Sequence, residues 1–173
     1  MEQKVFTPVT KGLIITLLLI VFGLITYFTG QMQNKSLSSI QYLILLGGII
    51  WSCIIYAKQM NGNVTFGNVF AHGFKTTAVI TALICVYTFV ALKFLFPDML
   101  DKGLEEARKN MEEQGKLTEE QIEQGMTMAR KFAVPFAMGG ILIFFAIIGA
   151  IASLIGAGVA KKNPQDPFTQ QPM

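Results

Sequence analysis

The sequence predicts an all-α membrane protein: four transmembrane helices in an antiparallel left-handed bundle, with an extramembrane helical hairpin between the third and fourth. Three observations predict it. Hydrophobic residues make up 52% of the 173-residue chain and charged residues only 14%, where a soluble domain carries about 25%. Charge is cleared from long blocks, because of 11 acidic residues all but Glu2 and Asp166 fall between Asp98 and Glu123. What remains is four apolar blocks of the size that crosses hydrocarbon, about 20 residues each.

The first block, residues 11–31, has the core LIITLLLIVFGLITYF. Lys4 ahead of it and Lys11 at its edge resemble the basic start of a secretory signal. The apolar run is too long for one, however, and TGQMQNKS offers no small-residue cleavage site, so a retained helix is expected. The second span covers residues 38–58 and the third 73–96. The fourth, 133–160, exceeds what a bilayer needs and is expected to tilt or project. Lys93 reads as the one formal charge inside a span. It lies one turn from Pro97, where a flexible ammonium snorkels to the headgroups. Tyr27, Phe28, Tyr42, Tyr56, Phe94, Phe96, Phe132 and Phe136 flank the spans as interfacial anchors do.

Small or weakly polar residues recur in steps of three and four along every span. The first carries Gly12, Thr16, Gly23, Thr26 and Gly30, with Leu19 in the gap. The second carries Gly48, Ser52, Tyr56 and Gln59, and the third Gly73, Thr77, Thr81, Cys85 and Thr88. The fourth carries Gly139, Ala146, Gly149, Ser153, Gly156 and Ala160. Such seams let helix backbones approach and hydroxyls bond across the contact. Ser52, Tyr56, Thr77, Thr81, Thr88, Gly149, Ser153 and Gly156 are therefore the candidate packing seam or cavity. Against this stands the plainer possibility that Thr and Ser bond back to their own helix carbonyls. A wet substrate path along the threonines is the sharper alternative to packing.

Between the second and third spans runs KQMNGNVTFGNVFAHGF. Asn61-Gly62 is a turn signal, and Thr65 suits a helix N-cap. Phe66, Phe70 and Phe74 share a face at headgroup level. His72, the only histidine, is expected to be a solvated or hydrogen-bonded interfacial residue. Asn61, Gly62, Phe66, Phe70, His72 and Phe74 together form the candidate interfacial motif.

Residues 97–131 hold two helical pieces. Pro97 suits a first turn, and Leu100, Leu104, Ala107 and Met111 line one face. Gly115 and Lys116 break the pattern. Thr118 with Gln121 makes a capping box, after which Ile122, Met126, Ala129 and Ala133 line a second face. The segment carries net charge −3. It reads as a solvated surface or as a surface that meets a partner or a second copy. Glu119, Glu120 and Glu123 lack the Gly-centred loop of a calcium site. The tail, 161–173, is polar and expected to be disordered.

These features narrow the function. No dense Lys/Arg stripe points to nucleic acid. Cys53 and Cys85 lie in apolar stretches with no CxxC or Cys/His cluster, so neither a metal nor another cofactor is expected. One histidine, no carboxylate within a span and no nucleophile–base pair argue against an enzyme. The expectation is a non-catalytic scaffold or accessory subunit, with a small transporter or channel component lined by Thr and Ser as the alternative. The expected partners are the lipid bilayer and, through residues 97–131, a second copy or another membrane protein. Lys4 and Lys11 outweigh Lys35 across the first span, which favours both termini in the cytoplasm. The full Lys/Arg count leans the other way.

The order of parts resembles a known family. A basic start precedes GLIITLLLIVFG, the second span ends in YAKQMNGNVTFGNVFAHGF, and EEARKNMEEQGKLTEEQIEQ precedes a Pro-bearing fourth span ending SLIGAGVAKKN. In these respects the whole chain resembles the bacterial membrane family called domain of unknown function 4199, found mainly in Bacteroidetes. The resemblance implies a multi-span inner-membrane protein and supplies no activity, ligand or catalytic residue.

Overall fold

The computed structural model describes residues 6–31, 34–96 and 98–163. Lys4 in the basic start, Pro97 and the tail beyond Asn163 lie outside the described residues. Those described are all-helical, apart from turns and short connections.

Helix α1, Pro8–Phe28, starts where local chemistry dictates. The Thr7 side chain accepts the Thr10 backbone N–H at 3.3 Å, and Pro8 occupies the first helical position, where no N–H is needed. Gly30, at φ +68°, ends it with the Gln31 N–H donating back to Thr26 O. Helix α2, Lys35–Gln59, is capped by Asn34. Asn61 and Gly62, both at positive φ, turn the chain after it. Thr65 then caps α3, Phe66–Val90, by accepting the Asn68 N–H at 3.3 Å. The end of α3 loosens into a π-helical turn, Ala91–Leu95. Helices α4, Asp98–Gln114, and α5, Glu119–Val159, complete the chain. Thr118 and Gln121 form the reciprocal capping box that starts α5.

Four helical stretches are long and apolar enough to cross a membrane: Pro8–Phe28, Ser39–Gln59, Phe66–Leu95 and Glu119–Val159. The fourth belongs to one uninterrupted helix that begins in the acidic segment and carries Pro135 inside it.

The chain divides into two compact units, residues 1–84 with 144–173, and residues 85–143. In the first, buried positions repeat every three or four residues: Lys11, Ile15 and Leu19 on α1; Leu45, Ile49, Ser52, Cys53 and Ala57 on α2; Val69, His72, Thr76 and Ile80 on α3; Ala152, Ser153, Ala157 and Ala160 close to the C-terminal end. Residues between them, such as Leu17, Leu43 and Ile155, are exposed. A stripe inward and aliphatic residues outward is the pattern of helices that meet each other on one side and lipid on the other. Glycines set the contact distances. A β-carbon on Gly12 would fall 2.7 Å from Val79 Cγ1, and one on Gly156 2.7 Å from Cys53 Cβ. One on Gly149 would overlap the Thr77 side chain. Lipid tails are as apolar as leucine, so this close packing rather than water exclusion holds the helices together.

The second unit is looser. Among its described residues only Ala91 and Ile122 are buried, and α4 has no buried residue. Ion pairs join α4 to the first turns of α5: Arg108 to Glu123 at 3.1 Å, and Arg130 to Asp101. Arg108 also bonds Glu112 one turn along its own helix, at 2.8 Å. The hydrogen bond it donates to Glu112 and the charge of Glu123 hold the guanidinium above its ordinary pKa.

Candidate functional site

The most unusual side chain in the protein is Lys11. It stands in the first turn of α1, fully buried. Its place follows from helical register, because Lys11, Ile15 and Leu19 fall at i, i+4 and i+8 on the inward stripe. Three groups surround its ammonium nitrogen at equal distance. Nζ is 3.2 Å from the Ser52 backbone oxygen, 3.2 Å from Gln59 Oε1 and 3.2 Å from His72 Nε2. Ser52, Tyr56 and Gln59 share one face of α2, at i, i+4 and i+7. His72 and Thr76 share one face of α3.

Further contacts bind the cluster. The Tyr56 ring stacks on the His72 imidazole, centroids 4.1 Å apart and planes 12° from parallel. Lys11 Nζ lies 5.9 Å from the same Tyr56 ring, within cation–π range. Ser52 Oγ and Thr76 Oγ1 are 3.0 Å apart, and Thr76 Oγ1 donates to His72 O. One lysine thus ties three helices through a connected polar network.

The electrostatics are one-sided. All described carboxylates lie between Asp98 and Glu123, so the unit that holds Lys11 has none among its described residues. An unpaired ammonium in an apolar interior is very costly unless its protons are bonded. Lysine has three N–H donors, and three neutral partners stand in range. Among the described residues, carbonyl dipoles, an imidazole nitrogen and a ring face stand where a carboxylate would otherwise pair the ammonium.

This corrects two sequence-based expectations. Lys93 was to be the one charge within a span, with Lys11 part of the basic start at the edge of the first. Instead α1 begins at Pro8 and encloses Lys11, while Lys93 is exposed, 5.1 Å from the Phe89 ring. His72, expected to be solvated or hydrogen-bonded beside the interfacial phenylalanines, is hydrogen-bonded rather than solvated: it is only 6% exposed, with Nε2 3.2 Å from Lys11 Nζ. It lies two residues from both Phe70 and Phe74, about 200° around the helix from each. Phe66 and Phe74 do face outward, Phe70 stacks on Phe74, and Lys162 lies 5.2 Å from the Phe66 ring. Asn61 and Gly62 form the turn, whose Gly62 carbonyl accepts the Asn163 N–H at 2.8 Å.

The remaining candidate residues separate into groups. Ser52 and Tyr56 belong to the lysine cluster. Thr77 and Thr81 are buried, and their hydroxyls donate to the carbonyls of Gly73 and Thr77 four residues earlier. Thr88 is half-buried. Gly149, Ser153 and Gly156 lie on the buried stripe of α5, whereas Gly30 and Ala146 face outward. Two buried hydroxyls, Thr16 Oγ1 and Ser153 Oγ, have no hydrogen-bond partner among the described residues. Sequence reasoning overlooked Lys11 and Gln59 as site residues. The signal was present in Thr7-Pro8, a helix start, and in the Lys11–Ile15–Leu19 spacing.

Four helices long and apolar enough to cross a bilayer define a multi-pass membrane protein. Residues 10–162 match the family described as Protein of unknown function (DUF4199), and the chain belongs to that family. No curated protein and no solved structure matches the chain.

Proposed function

We propose that this protein is a non-catalytic scaffold or accessory subunit of the inner membrane. Its spans form an antiparallel left-handed bundle, both termini lie in the cytoplasm, and residues 97–131 form a helical hairpin outside the bilayer that meets a partner or a second copy. The observation that supports this best is how the inward polar groups are used. Thr76, Thr77 and Thr81 bond to carbonyls of their own helix, Ser52 bonds Thr76, and Gly73, Gly149 and Gly156 leave no room for a β-carbon. Groups engaged in this way pack helices rather than line a wet path. The incompletely covered apolar face of α4 supports an extramembrane contact, since Leu100, Leu104, Ala107 and Met111 are only half-buried. Exposed Lys58, Lys75 and Lys161 near the turn and the C-terminal end, with no described acid in the same unit, support the orientation.

A small transporter is the second reading. An ionisable residue within a span is a functional candidate by default, and the buried Lys11–His72 pair with the unpartnered Ser153 hydroxyl favours it. Chemical crosslinking in native membranes together with ion flux into liposomes separates the two. The scaffold reading expects a reproducible crosslinked species that depends on residues 97–131, and no flux. A strictly monomeric protein that conducts ions or solutes would overturn it.

A further inference from the structure

The Lys11–His72 contact has a property that a lysine bonded only to carbonyls lacks: both groups take up protons. The Ser52 oxygen and Gln59 Oε1 accept hydrogen bonds and nothing else, so they fix two of the three Nζ bonds. The third, to His72 Nε2 at 3.2 Å, works in either direction. With Lys11 charged, Nζ donates to a His72 whose own proton sits on Nδ1. With Lys11 neutral, Nζ donates twice and accepts from a His72 that carries its proton on Nε2. Release of one proton to solvent, with a change of the His72 tautomer, converts the first state into the second, and every bond survives. A second proton leaves both groups positive and both donors. The bond is then lost and two like charges stand 3.2 Å apart in a dry interior.

We propose that Lys11 and His72 form a proton-binding site that latches the start of α1 onto α2 and α3, staying closed with the pair neutral or singly protonated and releasing when doubly protonated. The surroundings reinforce this. From α2 the titratable groups facing the pair are Tyr56, stacked on the imidazole, and the buried Cys53 thiol. On α3 the nearest further charge is Lys75, exposed and also positive. The C-terminal half of α5, residues 144–159, contributes no titratable group, and the described part of α1 has no other charge. The same unit holds no carboxylate among its described residues to absorb the second charge, so acid opens the latch rather than rearranging it. The closed state binds fewer protons than the released one. Stability therefore rises with pH across the transition and falls on acidification. The two groups titrate as one coupled site.

The test is thermal unfolding of the full chain in zwitterionic lipid nanodiscs, followed by the fluorescence of Trp51, the single tryptophan, from about pH 8 to about pH 5. His72→Gln keeps a carbonyl acceptor for Nζ but cannot take the second proton. Lys11→Met removes the neighbouring charge. Both retain the acidic segment, so its own acid response cancels in the comparison. The wild type is expected to lose ~3 °C or more in Tm beyond the loss shown by His72→Gln, with Lys11→Met flattened likewise. Profiles of wild type and His72→Gln that run parallel would overturn the latch. If His72→Gln does not fold, a Lys11→Met profile parallel to the wild type does so instead. The readout is independent of whether residues 97–131 have a partner.

Discussion

The two units of this protein use charge in opposite ways. Residues 85–143 hold every described carboxylate, several paired with Lys or Arg at the surface: Asp98 with Lys102, Glu112 and Glu123 with Arg108, Asp101 with Arg130. Both partners of each pair are at least 40% exposed. Residues 6–84 and 144–163 hold no described carboxylate, yet bury one lysine completely. Four ion pairs in water and one lysine among neutral acceptors are not comparable in effect. Exposed pairs gain little, because solvent screens them and ordering long side chains costs entropy. A buried amine with three bonded partners contributes little net energy while intact, and costs much when one side is removed. Counting charges would thus assign stability to the wrong half of the molecule.

That contrast is open to attack at several points. The largest effect is expected from overfilling the packed unit. A β-carbon on Gly73 would already stand 2.5 Å from Cys53 Sγ and 2.7 Å from Ser153 Oγ. Gly73→Leu should cost about 3 kcal/mol or prevent folding, read as loss of a monodisperse species after extraction. Next comes Lys11→Ala, which leaves three polar groups without their shared donor. A loss of about 2 kcal/mol is expected, measured by thermal unfolding in nanodiscs. Smallest is Arg108→Ala, which removes two exposed ion pairs and should leave the unfolding midpoint unchanged at physiological salt. A larger loss for Arg108→Ala than for Lys11→Ala would reverse the comparison.

Much of the architecture was legible because a bilayer permits few solutions. Uncharged blocks of spanning length give the four apolar helices, and Thr65 and Thr118 mark two helix starts by chemistry that depends only on neighbours in sequence; Thr7-Pro8 and Asn34 carry the same signal and went unread. The site was not legible to the same degree. A lysine at the edge of an apolar block reads as a flank by charge alone, and only its register with Ile15 and Leu19 turns it inward. His72 was drawn to the phenylalanines by proximity in sequence, although two residues along a helix is nearly the opposite face. The convergence of Lys11, Ser52, Gln59 and His72 depends on which helices are neighbours, and spacing within one helix carries no record of that. The threonine hydroxyls posed the reverse problem: bonding across the seam and bonding back four residues give the same sequence pattern.

The most direct test of the buried lysine uses the unmodified protein. In nanodiscs, where both faces are accessible, a water-soluble amine reagent is applied to the folded chain and each lysine is followed by mass spectrometry. Lys58, Lys75 and Lys161 should react readily, while Lys11 stays unmodified until the protein is unfolded. Modification of Lys11 in the folded protein at the rate of Lys58 would contradict the account.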